Sequence, residues 1–171
     1  MKPGLVAAMV IALLTMGFAR AAPLPTVAGF WESDDDKGNP QAWFLFAEKD
    51  GFWEGRLVKG FRKPGEKIVE ICTKCTGDQK NAHIMGITIV NGMKRYGLKY
   101  KDGSILDPRD GSVYHAEMEL SPDGKDLGVR GYIGIPLLGQ TQTWHKLPDD
   151  AIPEVEIPKE ILATPATAAK P

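Results

Sequence analysis

Gly29-Phe30-Trp31 begins the first strand-like segment of this 171-residue chain, and Gln142-Thr143-Trp144-His145-Lys146 ends the last one. A glycine lets a strand bend beneath a barrel, and a tryptophan close by can plug the narrow end. An ammonium group on the neighbouring strand can stack on that indole ring. We therefore predict that Gly29, Trp31, Trp144 and Lys146 close the base of a β-barrel.

Between the two segments, strand-like runs alternate with turn sequences rich in Gly, Asn and Asp, which tolerate the positive φ of tight hairpins. These turns lie at residues 36–40, 49–51, 91–92, 101–103, 109–111 and 122–124. The predicted strands are residues 29–33, 42–48, 52–59, 68–71, 83–90, 94–99, 112–120, 127–133 and 140–147. The pattern is typical of an all-β antiparallel meander that closes into a barrel or a sandwich.

Two of the predicted strands indicate which side chains face the interior of the barrel. Over residues 112–120 the sequence alternates, and the side chains that should face the interior are Tyr114, Ala116, Met118 and Leu120. Residues 42–46 are apolar on both faces. The outer face of that strand should therefore be covered by a loop, by the C-terminal tail or by a partner.

Residues 1–21 have the parts of a signal peptide: Lys2 near the start, an apolar run over residues 5–18, and the small-x-small sequence Ala19-Arg20-Ala21. We predict cleavage before Ala22 and a periplasmic or secreted product without a membrane span; an uncleaved anchor is the alternative.

Cleavage removes Lys2 and Arg20 and takes the formal net charge from −1 to −3. A mildly acidic chain lacks the basic stripe that nucleic-acid binding requires.

The rest of the chain is predicted to be one domain over residues 22–147 and a Pro-rich, disordered tail over residues 148–171. Within the domain, residues 61–79 form a long irregular loop that contains Cys72 and Cys75. In an exported chain with two cysteines, this pair is predicted to form a disulfide that staples the loop.

Two alternatives remain for the cysteine pair. The first is a thiol–disulfide redox pair, although no helical period follows Cys75 as it does in such motifs. The second is a metal site completed by two of the three histidines, His83, His115 and His145. Their spacing supports no zinc motif.

Four sequence blocks carry a resemblance to a known family. They are Gly29-Phe30-Trp31, Cys72-Thr73-Lys74-Cys75, Gly103-Ser104-Ile105-Leu106-Asp107-Pro108 with Asp110, Gly111 and Tyr114, and the run from Arg130 to Gly139 with Gln142-Thr143-Trp144. In these blocks, which appear in the same order, the chain resembles domain-of-unknown-function family number 2147, a family of exported bacterial proteins. The resemblance covers about residues 28–146 and leaves out the leader and the tail.

The resemblance implies a compact, lipocalin-like, up-and-down β-barrel, here of about eight to nine strands, and no established activity. The family commonly has Arg two positions after the last Trp, where this chain has Lys146. A lysine can stack on Trp31 but lacks the forked guanidinium that bonds to strand-end carbonyls. We therefore expect a weaker closure of the base here.

The candidate ligand contacts are Tyr114, Arg130 and Trp144. Trp144 either packs in the core or borders a ligand. Arg130 points outward if its apolar neighbours face the core; if the barrel holds a polar cavity, Arg130 could instead anchor a carboxylate or phosphate. The apolar loop at residues 135–139 either packs across a barrel mouth or meets a partner.

Residues 107–111 bring two aspartates together, which predicts an Asx turn rather than a calcium site, because the ligand spacing of an EF-hand loop is missing. The sequence contains no nucleophile elbow, no phosphate-binding glycine loop and no His-Glu-x-x-His motif. We predict no catalytic residues, no metal site, no cofactor and no enzymatic activity.

Three hypotheses for function remain. The first is an exported barrel that binds a small apolar or amphipathic ligand in its interior. The second is a non-enzymatic protein-interaction or envelope-maintenance module, with a filled barrel and an envelope protein as partner. The third is a thiol–disulfide oxidoreductase that acts through Cys72 and Cys75.

Overall fold

The computed structural model of the protein describes residues 22–62, 65 and 69–153. These residues form eight strands: β1 (Gly29–Asp34), β2 (Pro40–Lys49), β3 (Phe52–Gly60), β4 (Thr88–Tyr96), β5 (Lys99–Asp107), β6 (Ser112–Leu120), β7 (Asp126–Tyr132) and β8 (Gln140–Lys146). Each strand pairs antiparallel with the next, and β8 pairs back onto β1. The predicted all-β, up-and-down barrel is confirmed. Short 3₁₀ turns lie at Gly77–Gln79 and Pro136–Leu138.

Two of the predicted turns are bulges inside continuous strands. Gly92, with φ of 70°, lies within β4 where the pairing with β3 shifts register. Asp102, with φ of 64°, lies within β5 where the pairing with β6 shifts. The hairpin between β4 and β5 instead contains Gly97, with φ of 68°. These two bulges and a tight hairpin turn each place a residue at positive φ, so the same residue types occur in both.

The prediction of a strand over residues 68–71 was also wrong for its described part. Ile71 forms only an isolated bridge, to His83, within the long connection between β3 and β4. Strand β4 then begins at Thr88 rather than at residue 83. The barrel therefore has eight strands, and the connection is a loop that lies outside the sheet.

The interior is packed with large side chains. Strand β6 was predicted to point four side chains inward. Three of them are at most 3% exposed, namely Ala116, Met118 and Leu120, and the fourth, Tyr114, is half-buried. The largest fully buried side chains include Trp31, Trp144, Tyr100, Phe46 and Met93. Two of these residues contact further aromatic rings at preferred geometries. Trp144 stacks on Phe44 with ring centroids 4.2 Å apart, and Tyr100 meets Trp53 edge to face at 5.8 Å.

A second apolar cluster covers the outside of β1, β2 and β3. Phe30, Val58 and Ile152 are buried together, and the half-buried residues packed against them are Trp43, Leu45, Leu147 and Ala151. The Leu147 N–H donates to the Phe30 carbonyl at 2.9 Å, which turns the chain back over the sheet. The two-sided apolar strand is thus covered by the segment that follows β8.

The first residues of the predicted tail take part in this packing. Residues 148–153 are part of the folded structure, because Ile152 is only 7% exposed in the outer cluster. The remainder of the predicted tail, residues 154–171, and the predicted signal peptide, residues 1–21, lie outside the described residues. Among the residues that are described, no helix has the length and apolar character needed to cross a membrane.

Candidate functional site

One end of the barrel, the base, is closed by Trp31 and Lys146, which pair across β1 and β8. Trp31 is fully buried, and its indole N–H donates to the Val27 carbonyl at 2.8 Å. The Lys146 ammonium lies 5.2 Å from the centre of the Trp31 ring and donates to the Ala28 carbonyl. Gly29 has φ of 97°, and a Cβ atom there would collide with that ammonium group.

The chain that precedes β1 crosses the base and completes its closure. The Tyr100 hydroxyl accepts a hydrogen bond from the Val27 N–H at 3.1 Å. The Arg95 guanidinium donates to the carbonyls of Leu24 and Pro25, at 3.1 and 2.9 Å. Burial lowers the pKa of Lys146, against an opposing effect of Asp149, and burial also raises the pKa of Tyr100. Both shifts reflect the exclusion of water from the base.

The opposite end of the barrel, the mouth, is lined by inward-facing residues that remain accessible: Ile105, Tyr114, Gly131, Gln140 and Gln142. Gln142 pairs with the buried Val129, which places its side chain on the inner face, yet Gln142 is exposed. A Cβ atom on Gly131 would lie 3.2 Å from Cγ2 of Ile105 and 3.9 Å from Cβ of Tyr114. Because Gly131 has no side chain, Ile105 and Tyr114 can lie close to its backbone without a clash.

Trp144 connects the core to the mouth. The indole is 2% exposed and stacks on Phe44, while its N–H donates to Oε1 of Gln142 at 3.3 Å. Of the two roles left open by the sequence, the structure places Trp144 in the core. Its polar edge nevertheless faces Gln142, which lies one step closer to the mouth on the same face of β8.

Arg130 points outward, as the alternation of β7 requires when Leu127 and Val129 are buried. Its guanidinium donates to the carbonyls of Pro136 and Leu137, at 2.7 and 3.3 Å, and to the Thr141 hydroxyl at 2.7 Å. Arg130 thus holds the β7–β8 connection in place on the outside of the barrel. The structure does not bring it together with Tyr114 and Trp144.

Cys72 and Cys75 form the predicted disulfide, and both residues are buried, at 0% and 3% exposure. The loop around them packs against the turn between β5 and β6. Gly111 lies so close to the Lys74 carbonyl that a Cβ atom there would overlap it. The disulfide therefore fixes a loop that lies on the outer surface of the sheet.

A cleft of about 160 Å³ lies between this loop and the outer face of the barrel. The loop contributes Cys75, Thr76 and Gln79, and the strands contribute Thr88, Ile89, Asn91, Ser104, Leu106 and Val113. No pattern in the sequence indicates this cleft. Its walls are distant in sequence and meet only because the loop folds back onto the sheet.

The two aspartates at residues 107–111 accept hydrogen bonds within the turn. Asp107 accepts the backbone N–H of Arg109 at 3.0 Å and pairs with its guanidinium, and Asp110 accepts the N–H of Ser112 at 2.9 Å. The hydrogen bond from the Arg109 side chain lowers the pKa of Asp107. In the described part of the chain, no group of three or more His, Cys, Asp or Glu side chains is placed to hold a metal ion.

A closed, eight-stranded, antiparallel barrel with a closed base and an accessible mouth is the architecture of lipocalin-like proteins. The family model described as "Uncharacterized protein conserved in bacteria (DUF2147)" matches residues 29–146. The chain therefore belongs to this family, as its four sequence blocks predicted.

Among solved structures, the chain is similar to protein HP1028 from Helicobacter pylori, which is described as belonging to the lipocalin family. The two share 20% sequence identity with a TM-score of 0.64, and the match covers 81% of this chain and 97% of that one. This likeness confirms the lipocalin-like fold. No curated protein matches the chain.

Proposed function

We propose that this protein is exported and binds a small amphipathic ligand at the mouth of the barrel. The observation that carries the proposal is the contrast along one inner face, where Trp144 is buried but Gln142 is exposed. Barrels of eight strands are wide enough to hold one small ligand, and ligand sites combine apolar walls with a few polar groups. The predicted signal peptide supports the export part of the proposal.

The mouth residues suggest the chemistry of the ligand. Ile105 and the ring of Tyr114 offer apolar surface, while Gln140, Gln142 and the Tyr114 hydroxyl offer hydrogen-bonding groups. This set contains no Lys, Arg, Asp or Glu. A buried charge on the ligand would therefore find no counter-charge among them, which favours a neutral polar group attached to an apolar body.

Titration with N-phenyl-1-naphthylamine, a neutral apolar fluorophore, tests this proposal on the chain from Ala22 onward. Gln142→Phe fills the mouth from the inner face, and Thr143→Phe, which adds the same ring to the exposed outer face, is the matched control. We expect saturable binding to the wild type and the control, and affinity lower by about tenfold or more in Gln142→Phe. No saturable binding, or equal binding by both variants, would contradict the proposal.

A protein-interaction module is the second candidate, and the exposed apolar side chains of the β7–β8 connection favour it. An envelope protein would be the partner. Thiol exchange through Cys72 and Cys75 has less support, because attack on a disulfide needs an accessible sulfur and both residues are buried.

A further inference from the structure

We infer that the ligand of this barrel carries an uncharged hydrogen-bond acceptor, such as a ketone or ester carbonyl, and that Gln142 selects it. The inference deepens the proposed function and rests on it, because it concerns the polar group of a ligand bound at the mouth. It follows from the chemistry of the neighbouring Trp144. An indole ring has one polar hydrogen and no acceptor, so it can only donate.

The hydrogen bond between the two residues determines which way the Gln142 amide points. The Trp144 N–H donates to Oε1 of Gln142 at 3.3 Å, and Trp144 is 2% exposed. If the amide were flipped, its NH₂ group would face the indole N–H, and a buried donor would lose its acceptor. The amide of Gln142 is therefore held with its oxygen toward the core.

The nitrogen of the same amide is turned away from the core. Gln142 pairs with the buried Val129, which places its side chain on the inner face, and Gln142 is exposed at the mouth. Among the described residues, none accepts a hydrogen bond from Nε2 of Gln142. Gln142 therefore offers two N–H donors, and no acceptor, to a ligand at the mouth.

The other polar groups of the mouth impose no such choice. The amide of Gln140 is not oriented by an indole ring, and the hydroxyl of Tyr114 can rotate to donate or to accept. Gln142 also lies deeper than Gln140 on the same face of β8. A donor placed against Gln142 would lose its hydrogen bonds to water without replacement, so Gln142 is the residue that discriminates.

The ligand acceptor should also be uncharged. A carboxylate could accept from the Gln142 amide, but the residues that line the mouth offer it no counter-charge, and an unpaired charge is costly to bury. A ketone, an ester or an ether oxygen accepts without that cost. These groups, attached to an apolar body, define the class of ligand.

Three tricyclic probes of nearly the same size and shape test the inference on the chain from Ala22 onward. Fluorenone carries an acceptor carbonyl, carbazole carries a donor N–H, and fluorene carries neither. Equilibrium dialysis measures the affinity of each probe directly. We expect fluorenone to bind about fivefold more tightly than fluorene, and carbazole to bind no more tightly than fluorene.

Gln142→Glu changes the chemistry of this position at nearly constant size. A carboxylate still accepts from the Trp144 N–H but has no hydrogen to donate, so carbazole should now bind more tightly than fluorenone. Gln41→Glu is the matched control, because Gln41 lies on the outer face of β2 with Trp43 and Leu45. The control should keep the wild-type order of affinities.

Trp144→Phe tests the positioning of the amide by the indole. The variant keeps an aromatic ring against Phe44 but removes the N–H, so the Gln142 amide can present either its oxygen or its nitrogen. Fluorenone and carbazole should then bind within about twofold of each other.

The outcomes separate the inference from the proposed function. Equal binding of fluorenone and carbazole to the wild type, or an unchanged preference in Gln142→Glu, would overturn the inference and leave the proposed function in place. No saturable binding of any of the three probes would overturn the proposed function and the inference with it.

A measurement without ligand tests the hydrogen bond itself. In proton–nitrogen correlation spectra, the indole proton of Trp144 should keep its position in Gln142→Glu and move upfield in Gln142→Leu, which has no acceptor. The indole of Trp31, whose N–H donates to the Val27 carbonyl, is the internal reference. A Trp144 resonance that does not respond to Gln142→Leu would also overturn the inference. Matching far-UV circular dichroism and unfolding midpoints establish that all variants are folded.

Discussion

At the base of the barrel Trp31 and Tyr100 are fully buried, whereas at the mouth Tyr114 is half-buried and Gln142 is exposed, although all four side chains face inward. At both ends, the alternation of side chains along the strands points these residues into the barrel. The base uses that inner face for packing and excludes water, while the mouth leaves it accessible. Binding surfaces commonly forgo such stabilising burial, so the accessible mouth is the end at which we propose that a ligand binds.

The largest expected effect tests whether stability is concentrated at the base. Trp31→Ala removes a fully buried indole together with its hydrogen bond to Val27, and should lower the free energy of unfolding by about 3–5 kcal/mol. Tyr114→Ala, at the mouth, should lower it by about 1 kcal/mol because water already reaches that ring. Urea unfolding with unchanged m-values measures both. Equal losses at the two ends would remove the distinction between them.

A smaller effect isolates the Lys146 contact that closes the base. Gly29→Ala forces an alanine into φ of 97° and pushes the Lys146 ammonium from its place, so we expect a loss of about 2 kcal/mol. Gly38→Ala is the matched control, because Gly38 has φ of 77° but no atom within 4 Å of a new Cβ, and should cost about 1 kcal/mol. The difference between the two should shrink when both are repeated in Lys146→Met. A difference that persists there would assign it to something other than Lys146.

The sequence predicted the barrel well because its signals are local. Alternation within β6 placed Ala116, Met118 and Leu120 inside, and the turn residues divided the chain into strand-sized runs. The same local signals failed at Gly92 and Asp102, because these two bulges place a residue at positive φ, as a tight hairpin turn does. Only the pairing with neighbouring strands distinguishes them.

The candidate site was harder to predict because it depends on contacts between distant segments. Alternation alone allowed Arg130 to point either inward or outward. The burial of Val129 and the hydrogen bond from Arg130 to the Pro136 carbonyl in the β7–β8 connection determine the outward orientation. The position of Gln142 on its strand predicts only that it faces inward, whereas its exposure depends on the surrounding segments. The cleft beside Cys75 requires a loop to fold back over β4 and β5. No periodicity within one strand carries this information.

The smallest expected effect contrasts the two ends through their response to acid. The hydrogen bond from Arg109 lowers the pKa of Asp107, in the turn at the mouth, below its usual value of 3.8. Between the folded and unfolded pKa values the unfolded chain binds more protons, so this stabilisation is complete above the unfolded value and is lost as pH falls through the folded value. Because Arg109 is largely exposed, Asp107→Asn should lower the free energy of unfolding by only about 0.5 kcal/mol at neutral pH. Urea unfolding from pH 7 downward should show this deficit begin to shrink once the pH falls below about 3.8, while the deficit of Trp31→Ala at the base stays constant because no titrating group is removed. A deficit in Asp107→Asn that is independent of pH would show that the turn is held by its backbone and not by the ion pair.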